Sequence, residues 1–175
     1  WHLYTWLWFM VGVVSLYCLA RALSLNRALA CATSLTLYLS PRFFAEGHYN
    51  NKDVVLLALV LWTPAAGAAF LRQPNVLRAT VFSLAGALAA NTKIVGVFAW
   101  ALMGLTVLVD LIRKRALTPK RLLTGLWAIL FFAVCYVALT PAIWADPKGF
   151  VPYLLKNATG FSRWSGVVLF KGELY

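Results

Sequence analysis

Long apolar stretches separated by short polar segments run along most of this 175-residue chain. Six of them approach the length of a membrane-crossing helix, which needs about 20 mostly apolar residues. They cover residues 3–22, 28–38, 54–70, 79–91, 94–112 and 122–142. The pattern therefore predicts an all-α fold, a polytopic bundle of about six transmembrane helices.

Hydrophobicity falls after the sixth stretch, which divides the chain in two. Residues 1–144 are predicted to form a transmembrane helical module. Residues 145–175 are predicted to form an outer-face loop region, with a short interfacial helix at 150–155. Because the chain starts at Trp1 without a Met or a charged leader, we expect it to be a piece of a longer protein.

Composition agrees with a membrane protein. Hydrophobic residues make up 62% of the chain and charged residues 12%, whereas a soluble domain carries about 25% charged residues. The net charge of +11 comes from basic residues placed singly or in small groups between apolar stretches. Such residues are typical of helix anchors at lipid headgroups, so no nucleic-acid partner is expected. The three cysteines fall in apolar stretches and have neither disulfide-framework nor zinc-site spacing.

The distribution of Lys and Arg predicts the orientation of the bundle. The turns after the first, third and fifth stretches carry nine basic residues, Arg21, Arg27, Arg72, Arg78, Arg113, Lys114, Arg115, Lys120 and Arg121. The other two turns carry three, Arg42, Lys52 and Lys93. Because basic turns face the cytoplasm, residues 39–53, Lys93 and the C-terminal region are predicted to share the outer face.

A polar segment at residues 39–53, predicted to be a loop, concentrates the candidate chemistry. The carboxylates of Asp53 and Glu46 are suited to acid–base catalysis or to binding a divalent cation. Each has a structural alternative, since Asp53 is also placed to N-cap the next helix and Glu46 to be a solvated loop acid.

Three more residues of this segment are candidates for substrate binding. His48 is suited to orienting a sugar hydroxyl or a phosphate, and Arg42 to forking onto a phosphate. Asn50 is a further substrate-binding candidate. The alternatives are a solvated histidine and an arginine that snorkels at the membrane edge.

Lys93 lies in NTKIVG (residues 91–96), between two apolar stretches and with almost no loop around it. An ionisable group near membrane depth is a functional candidate, and an anionic lipid phosphate is its natural partner. Snorkelling is the alternative. Asp110, by contrast, precedes Arg113 and Lys114 by three and four residues, which predicts an ion pair on one helix face.

The C-terminal region adds weaker candidates. Asn157 begins an N-glycosylation sequon. Four aromatic residues either line a groove for a sugar or lipid or form an interfacial belt, namely Trp144, Tyr153, Phe161 and Trp164. The sequence contains no GxGxxG, Walker, HExxH or CxxC pattern, which argues against soluble nucleotide or zinc chemistry.

Three motifs together resemble the GT-C superfamily of polytopic glycosyltransferases, and within it the protein O-mannosyltransferases and aminoarabinose transferases of glycosyltransferase family 39. They are SPRFFAEGHYNNKD (residues 40–53), NTKIVG, and TPAIWADPKGF (140–150) followed by RWSGVVLFKGE (163–173). The resemblance implies inverting transfer from a polyprenyl-phosphate-linked sugar to a lipid or protein acceptor. The transfer would occur at the lumenal or periplasmic face of the endoplasmic reticulum or bacterial inner membrane.

The resemblance also implies roles for individual residues. Asp53 and Glu46 would be catalytic or cation-binding acids, and Lys93 would meet the lipid phosphate. The family's main catalytic acid lies in a first outer loop, after a first helix, and this chain contains neither. The chain would therefore start at the family's second helix and be inactive in isolation.

Two other functional classes are alternatives to a glycosyltransferase. A transporter or flippase for a lipid-linked or anionic substrate needs charged residues near the bilayer midplane and often has an inverted repeat. The two halves of this sequence show no such repeat, and the ionisable residues sit at helix ends. A non-catalytic membrane scaffold predicts that substitutions of Asp53 and Lys93 change stability alone.

Overall fold

The structure is a computed structural model that describes residues 1–159 and 169–174. This part of the chain forms helices α1 (His2–Ala22), α2 (Arg27–Tyr38), α3 (Pro41–Tyr49), α4 (Asn51–Arg72), α5 (Val76–Thr92), α6 (Gly96–Arg113), α7 (Pro119–Ala138), α8 (Pro141–Ala145) and α9 (Pro147–Thr159). Two short antiparallel strands follow, β1 (Leu169–Phe170) and β2 (Glu173–Leu174). The chain divides into two compact units, Trp1–Leu139 and Thr140–Tyr175.

Within the described residues, four helices are long and apolar enough to cross a membrane, namely α1, α4, α6 and α7. α5 has 17 residues and α2 has 12. Large apolar side chains such as Leu102 and Leu123 lie exposed on α6 and α7, which fits a lipid environment because a helix that is apolar all round needs apolar surroundings. The prediction of an all-α protein with apolar helices of membrane-crossing length is confirmed.

Helix α5 packs against α4, α6 and α7 in the first unit. Its small residues let the neighbouring backbones approach closely, and Ala79, Ala85, Ala87 and Ala89 are all fully buried. Ser83 and Asn91 donate hydrogen bonds to the carbonyls of Ala128 and Tyr136 on α7, at 2.7 and 3.3 Å. Because both pairs are 45 residues apart, α5 and α7 run parallel.

Arginines close the end of the bundle where α1 and α4 finish. Arg72 Nη2 donates to the carbonyls of Arg21 and Ala22, at 3.3 and 3.0 Å. Arg78 Nη1 donates to the Ala69 carbonyl at 2.9 Å. The last carbonyls of a helix have no intrahelical partner and carry partial negative charge, so these arginines stabilise both helix ends. α1 and α4 therefore run parallel and finish side by side.

Two of the predicted segments differ in the structure. Residues 39–53 are not a loop, because α3 occupies most of them. Pro41 fits its first turn, where a missing N–H costs nothing. The predicted helix 122–142 is divided, since α7 ends at Ala138 and Pro141 starts α8. Thr140 is kept out of the helical conformation by the proline that follows it.

The second unit contains α8, α9 and the β1–β2 hairpin. Asp146 Oδ1 accepts a hydrogen bond from Gly149 N at 2.9 Å, which caps the first turn of α9. Lys171 and Gly172 both have positive φ, as a two-residue hairpin turn requires. Phe161, Trp164 and residues 163–168 of the last motif lie outside the described residues, as does the Asn157 side chain.

Candidate functional site

Asn50 joins two helices, because α3 ends just before it and α4 begins just after it. Its backbone N–H donates to the Glu46 carbonyl at 2.8 Å, and its side-chain Oδ1 accepts from Asp53 N at 3.1 Å. The N-cap of α4 is therefore Asn50, and the predicted capping role of Asp53 is wrong. Asp53 lies in the first turn, where its negative charge faces the positive end of the helix dipole.

The Asn50 side chain also connects the two candidate acids. Its Nδ2 group donates to Glu46 Oε2 and, at 3.1 Å, to Asp53 Oδ2. An amide nitrogen carries two hydrogens, so it can serve two acceptors at once. Glu46 and Asp53, seven positions apart in sequence, therefore place both carboxylates around one amide.

Lys93 forms an ion pair with the same acid, since its Nζ donates to Asp53 Oδ1. Lys93 is the C-cap residue of α5 and Asp53 lies in the first turn of α4. The contact confirms that these two residues share one end of the bundle. Their side chains are 39% and 57% exposed, so the pair is open to a ligand.

Gly96 fixes the position of the Lys93 turn. A Cβ atom at Gly96 would lie 2.3 Å from the backbone C and O of Ala89, so any larger residue would push α6 away from α5. Gly96 N also donates to the Lys93 carbonyl at 2.8 Å, which closes the turn. The glycine in NTKIVG is thus explained by close backbone contact, which no local pattern in the sequence signals.

Arg42 contacts Glu46, at the end of this chain of contacts that is opposite Lys93. Its Nε lies 4.0 Å from Glu46 Oε1 and its side chain is 85% exposed, so the contact is weak. We call the resulting chain of contacts the polar row, formed by Arg42, Glu46, Asn50, Asp53 and Lys93. It has a basic residue at each end and two carboxylates between them, so its formal charge is zero.

His48 lies on α3 but makes a different set of contacts. Its Nδ1 is 2.8 Å from the Phe44 carbonyl, and the two rings lie 5.0 Å apart. Since a carbonyl only accepts, Nδ1 carries the proton in the neutral ring and Nε2 is the acceptor. The His48 carbonyl accepts a hydrogen bond from His2. Sequence reasoning missed His2 and Phe44, because nothing local predicts the contact between α1 and α3.

No family model, curated protein or solved structure matches this chain.

In this arrangement nitrogen donors occupy both candidate acids, so a divalent cation would have to displace them. Within residues 1–159 and 169–174, no group of three or more His, Cys, Asp or Glu side chains is placed to hold a metal. One Asp53 oxygen accepts from Lys93 and the other from Asn50. A hard cation needs about six oxygen ligands, whereas this carboxylate is already paired with an ammonium group.

The predicted ion pair of Asp110 is confirmed, with Lys114 Nζ 2.8 Å from Asp110 Oδ2. It lies in the last turn of α6, whereas the polar row lies beside the first turn, so the two ion pairs occupy opposite ends of that helix. Asp110 is therefore separate from the candidate site. The polar row itself is suited to accepting a proton on a carboxylate and to holding an anion with a basic side chain.

Proposed function

We propose that this chain is part of an integral-membrane glycosyltransferase of the GT-C type. It would transfer a sugar from a polyprenyl-phosphate donor to a lipid or protein acceptor, with inversion. The observation that carries the proposal is the polar row, which joins two carboxylates to a lysine at one end of an apolar helix bundle. The three-motif resemblance supports the same function, and it includes every residue of the row.

The proposed topology has six crossings, by α1, α2, α4, α5, α6 and α7. The C-cap of α5, Lys93, lies beside the start of α4, so α5 returns to the face from which α4 departs. Its 17 residues span about 26 Å, against a hydrocarbon core of about 30 Å. The nine-to-three excess of basic residues in the opposite turns supports a non-cytoplasmic location for the polar row.

The chemistry of the proposed reaction needs a base and a stabilised leaving group. The acceptor hydroxyl loses its proton to a carboxylate and its oxygen bonds to the anomeric carbon from the face opposite the phosphate. The bond between that carbon and the phosphate oxygen breaks, and polyprenyl phosphate leaves with its electron pair. In the family that the motifs resemble, the main base is an acid in another outer loop, and Asp53 and Glu46 would position the acceptor.

Lys93 has the role of stabilising negative charge on the departing phosphate. A hydrogen-bond donor that is held against an oxygen gaining negative charge in the transition state typically raises the rate about 10²–10³-fold. The ion pair with Asp53 holds the ammonium group at this face while no donor is bound. Because both side chains are partly exposed, a phosphate has access to Lys93 without unfolding of either helix.

The test measures sugar transfer from a polyprenyl-phosphate sugar by the full-length protein in proteoliposomes. Lys93→Ala is expected to lower the transfer rate about 100-fold, and Asp53→Asn to lower it as well. Lys52→Ala is the matched control, because Lys52 is an exposed neighbour of Asp53 in the same helical turn. Undiminished transfer by Lys93→Ala and Asp53→Asn would remove both residues from the site and leave a structural role.

A further inference from the structure

An apolar groove runs between α6 and α7, from near the turn that joins them to beyond the middle of α6. Its volume is about 550 Å³, within the range of about 300–1,000 Å³ for small-molecule sites. Phe70 and Phe82 from α4 and α5 contribute to its lining. Gly104 and Gly125 also line it, and a Cβ atom at either would meet nothing within 4 Å. We call this space the α6/α7 groove.

The length of the groove matches one leaflet of a bilayer. Its lining extends along α6 from Trp100 to Leu111, which at about 1.5 Å per residue is about 16 Å. Half of the roughly 30 Å hydrocarbon core is about 15 Å. The α6 side of the groove is therefore long enough for an extended segment of one acyl chain, and it reaches past the middle of the helix.

Positive charge is concentrated at one end of this groove. The α6–α7 turn and its flanks carry five basic residues, Arg113, Lys114, Arg115, Lys120 and Arg121. Arg121 lines the groove itself, beside Leu117 and Leu122. Lys114 is paired with Asp110, whereas Arg115 and Lys120 are exposed. Basic clusters next to membrane helices attract anionic headgroups, with about 1 kcal/mol from each Lys or Arg, which is about fivefold in affinity.

We propose that the α6/α7 groove binds one acyl chain of an anionic phospholipid, whose phosphate lies on the basic α6–α7 turn. The apolar lining matches the acyl chain in length, and the basic cluster matches the negative charge of the headgroup. A zwitterionic lipid of equal chain length matches the groove but not the charge. The basic end of this groove is at the opposite end of α6 from the polar row, and the site does not depend on the proposed transfer reaction.

The experiment is native mass spectrometry of the full-length protein in detergent, with phosphatidylglycerol or phosphatidylcholine of identical chains added. We expect one phosphatidylglycerol to be retained in preference to phosphatidylcholine. Arg115→Gln combined with Lys120→Gln is expected to lower phosphatidylglycerol affinity about 25-fold, at about fivefold for each residue. Arg27→Gln, in another basic turn, is the matched control and is expected to leave affinity within twofold.

A second pair of variants tests the groove itself. Gly125→Leu and, separately, Gly104→Leu put a side chain into open space, so both should fold with a normal melting temperature and lose lipid retention at least tenfold. Equal retention of the two lipids would overturn the proposal. Undiminished retention by both leucine variants would also overturn it, as would a dimer mass that disappears with Gly125→Leu, since a second copy would then occupy the groove.

Discussion

Asn50 makes two separable contributions, and three substitutions distinguish them. Its Oδ1 caps α4 and its Nδ2 joins Glu46 to Asp53. Asn50→Ser keeps an N-cap of similar quality but removes the amide donor. Asn50→Asp also keeps the cap, and it puts a third carboxylate where the donor was. Asn50→Ala removes both the cap and the amide donor.

The expected changes in the free energy of unfolding follow from these contacts. Loss of the cap costs about 1 kcal/mol of unfolding free energy, which separates Asn50→Ala from Asn50→Ser. The Asn50 amide nitrogen lies 3.1 Å from Asp53 Oδ2, so the carboxylate introduced by Asn50→Asp would meet like charge at similar range. Two unit charges 4 Å apart repel by about 1 kcal/mol in water and about 4 kcal/mol near a protein surface. Because Asp53 is 57% exposed, we expect Asn50→Asp to be about 1–2 kcal/mol less stable than Asn50→Ser.

The assay is reversible unfolding of the detergent-solubilised protein at pH 7 and at pH 4. At pH 7 the order of stability is expected to be wild type, then Asn50→Ser, then Asn50→Asp. Near pH 4 carboxylates begin to take up protons, so the gap between Asn50→Asp and Asn50→Ser should shrink. Equal stability of these two variants at pH 7, or a gap that persists at pH 4, would refute the bridging role of Asn50.

Two further predictions concern the turn that holds Lys93. A double-mutant cycle with Lys93→Met and Asp53→Asn should give a coupling free energy of about 0.2–1 kcal/mol, because the pair is partly exposed; a coupling near 3 kcal/mol would mean a buried pair. Gly96→Ala should destabilise the protein by about 1–3 kcal/mol, since its Cβ would overlap the Ala89 backbone. Gly104→Ala is the control and should be neutral or slightly stabilising, and equal melting temperatures for the two variants would contradict the close contact.

The apolar helices were predictable because membrane-crossing length and composition are local properties. The ends of these helices were less predictable. Pro41 and Pro141 each begin a helix, and a sequence pattern does not distinguish a proline that ends one helix from a proline that starts the next. The polar composition of residues 41–49 suggested a loop, whereas packing against α1 holds them in a helix: Gly47 is buried, and a Cβ there would lie 3.0 Å from the Phe9 ring.

The residues of the candidate site were predictable from the sequence, but the contacts between them were not. Charge counting placed Asp53 and Lys93 at one end of the bundle, and consecutive helices usually pack as neighbours, which makes their ion pair reasonable in hindsight. The bridging role of Asn50 depends on side-chain directions at a junction of two helices. The His2–His48 contact depends on packing between α1 and α3. Both are three-dimensional properties that sequence periodicity does not encode.

The measurement that tests the central claim most directly is cysteine accessibility in intact cells. Single cysteines replace Lys52, Ile94 and Arg115 in a cysteine-free background and react with a membrane-impermeant maleimide. We expect positions 52 and 94 to react from outside and position 115 only after permeabilisation, because the proposed topology has the polar row on the non-cytoplasmic side. Reaction of positions 52 and 94 from opposite sides, or of both only after permeabilisation, would contradict the account.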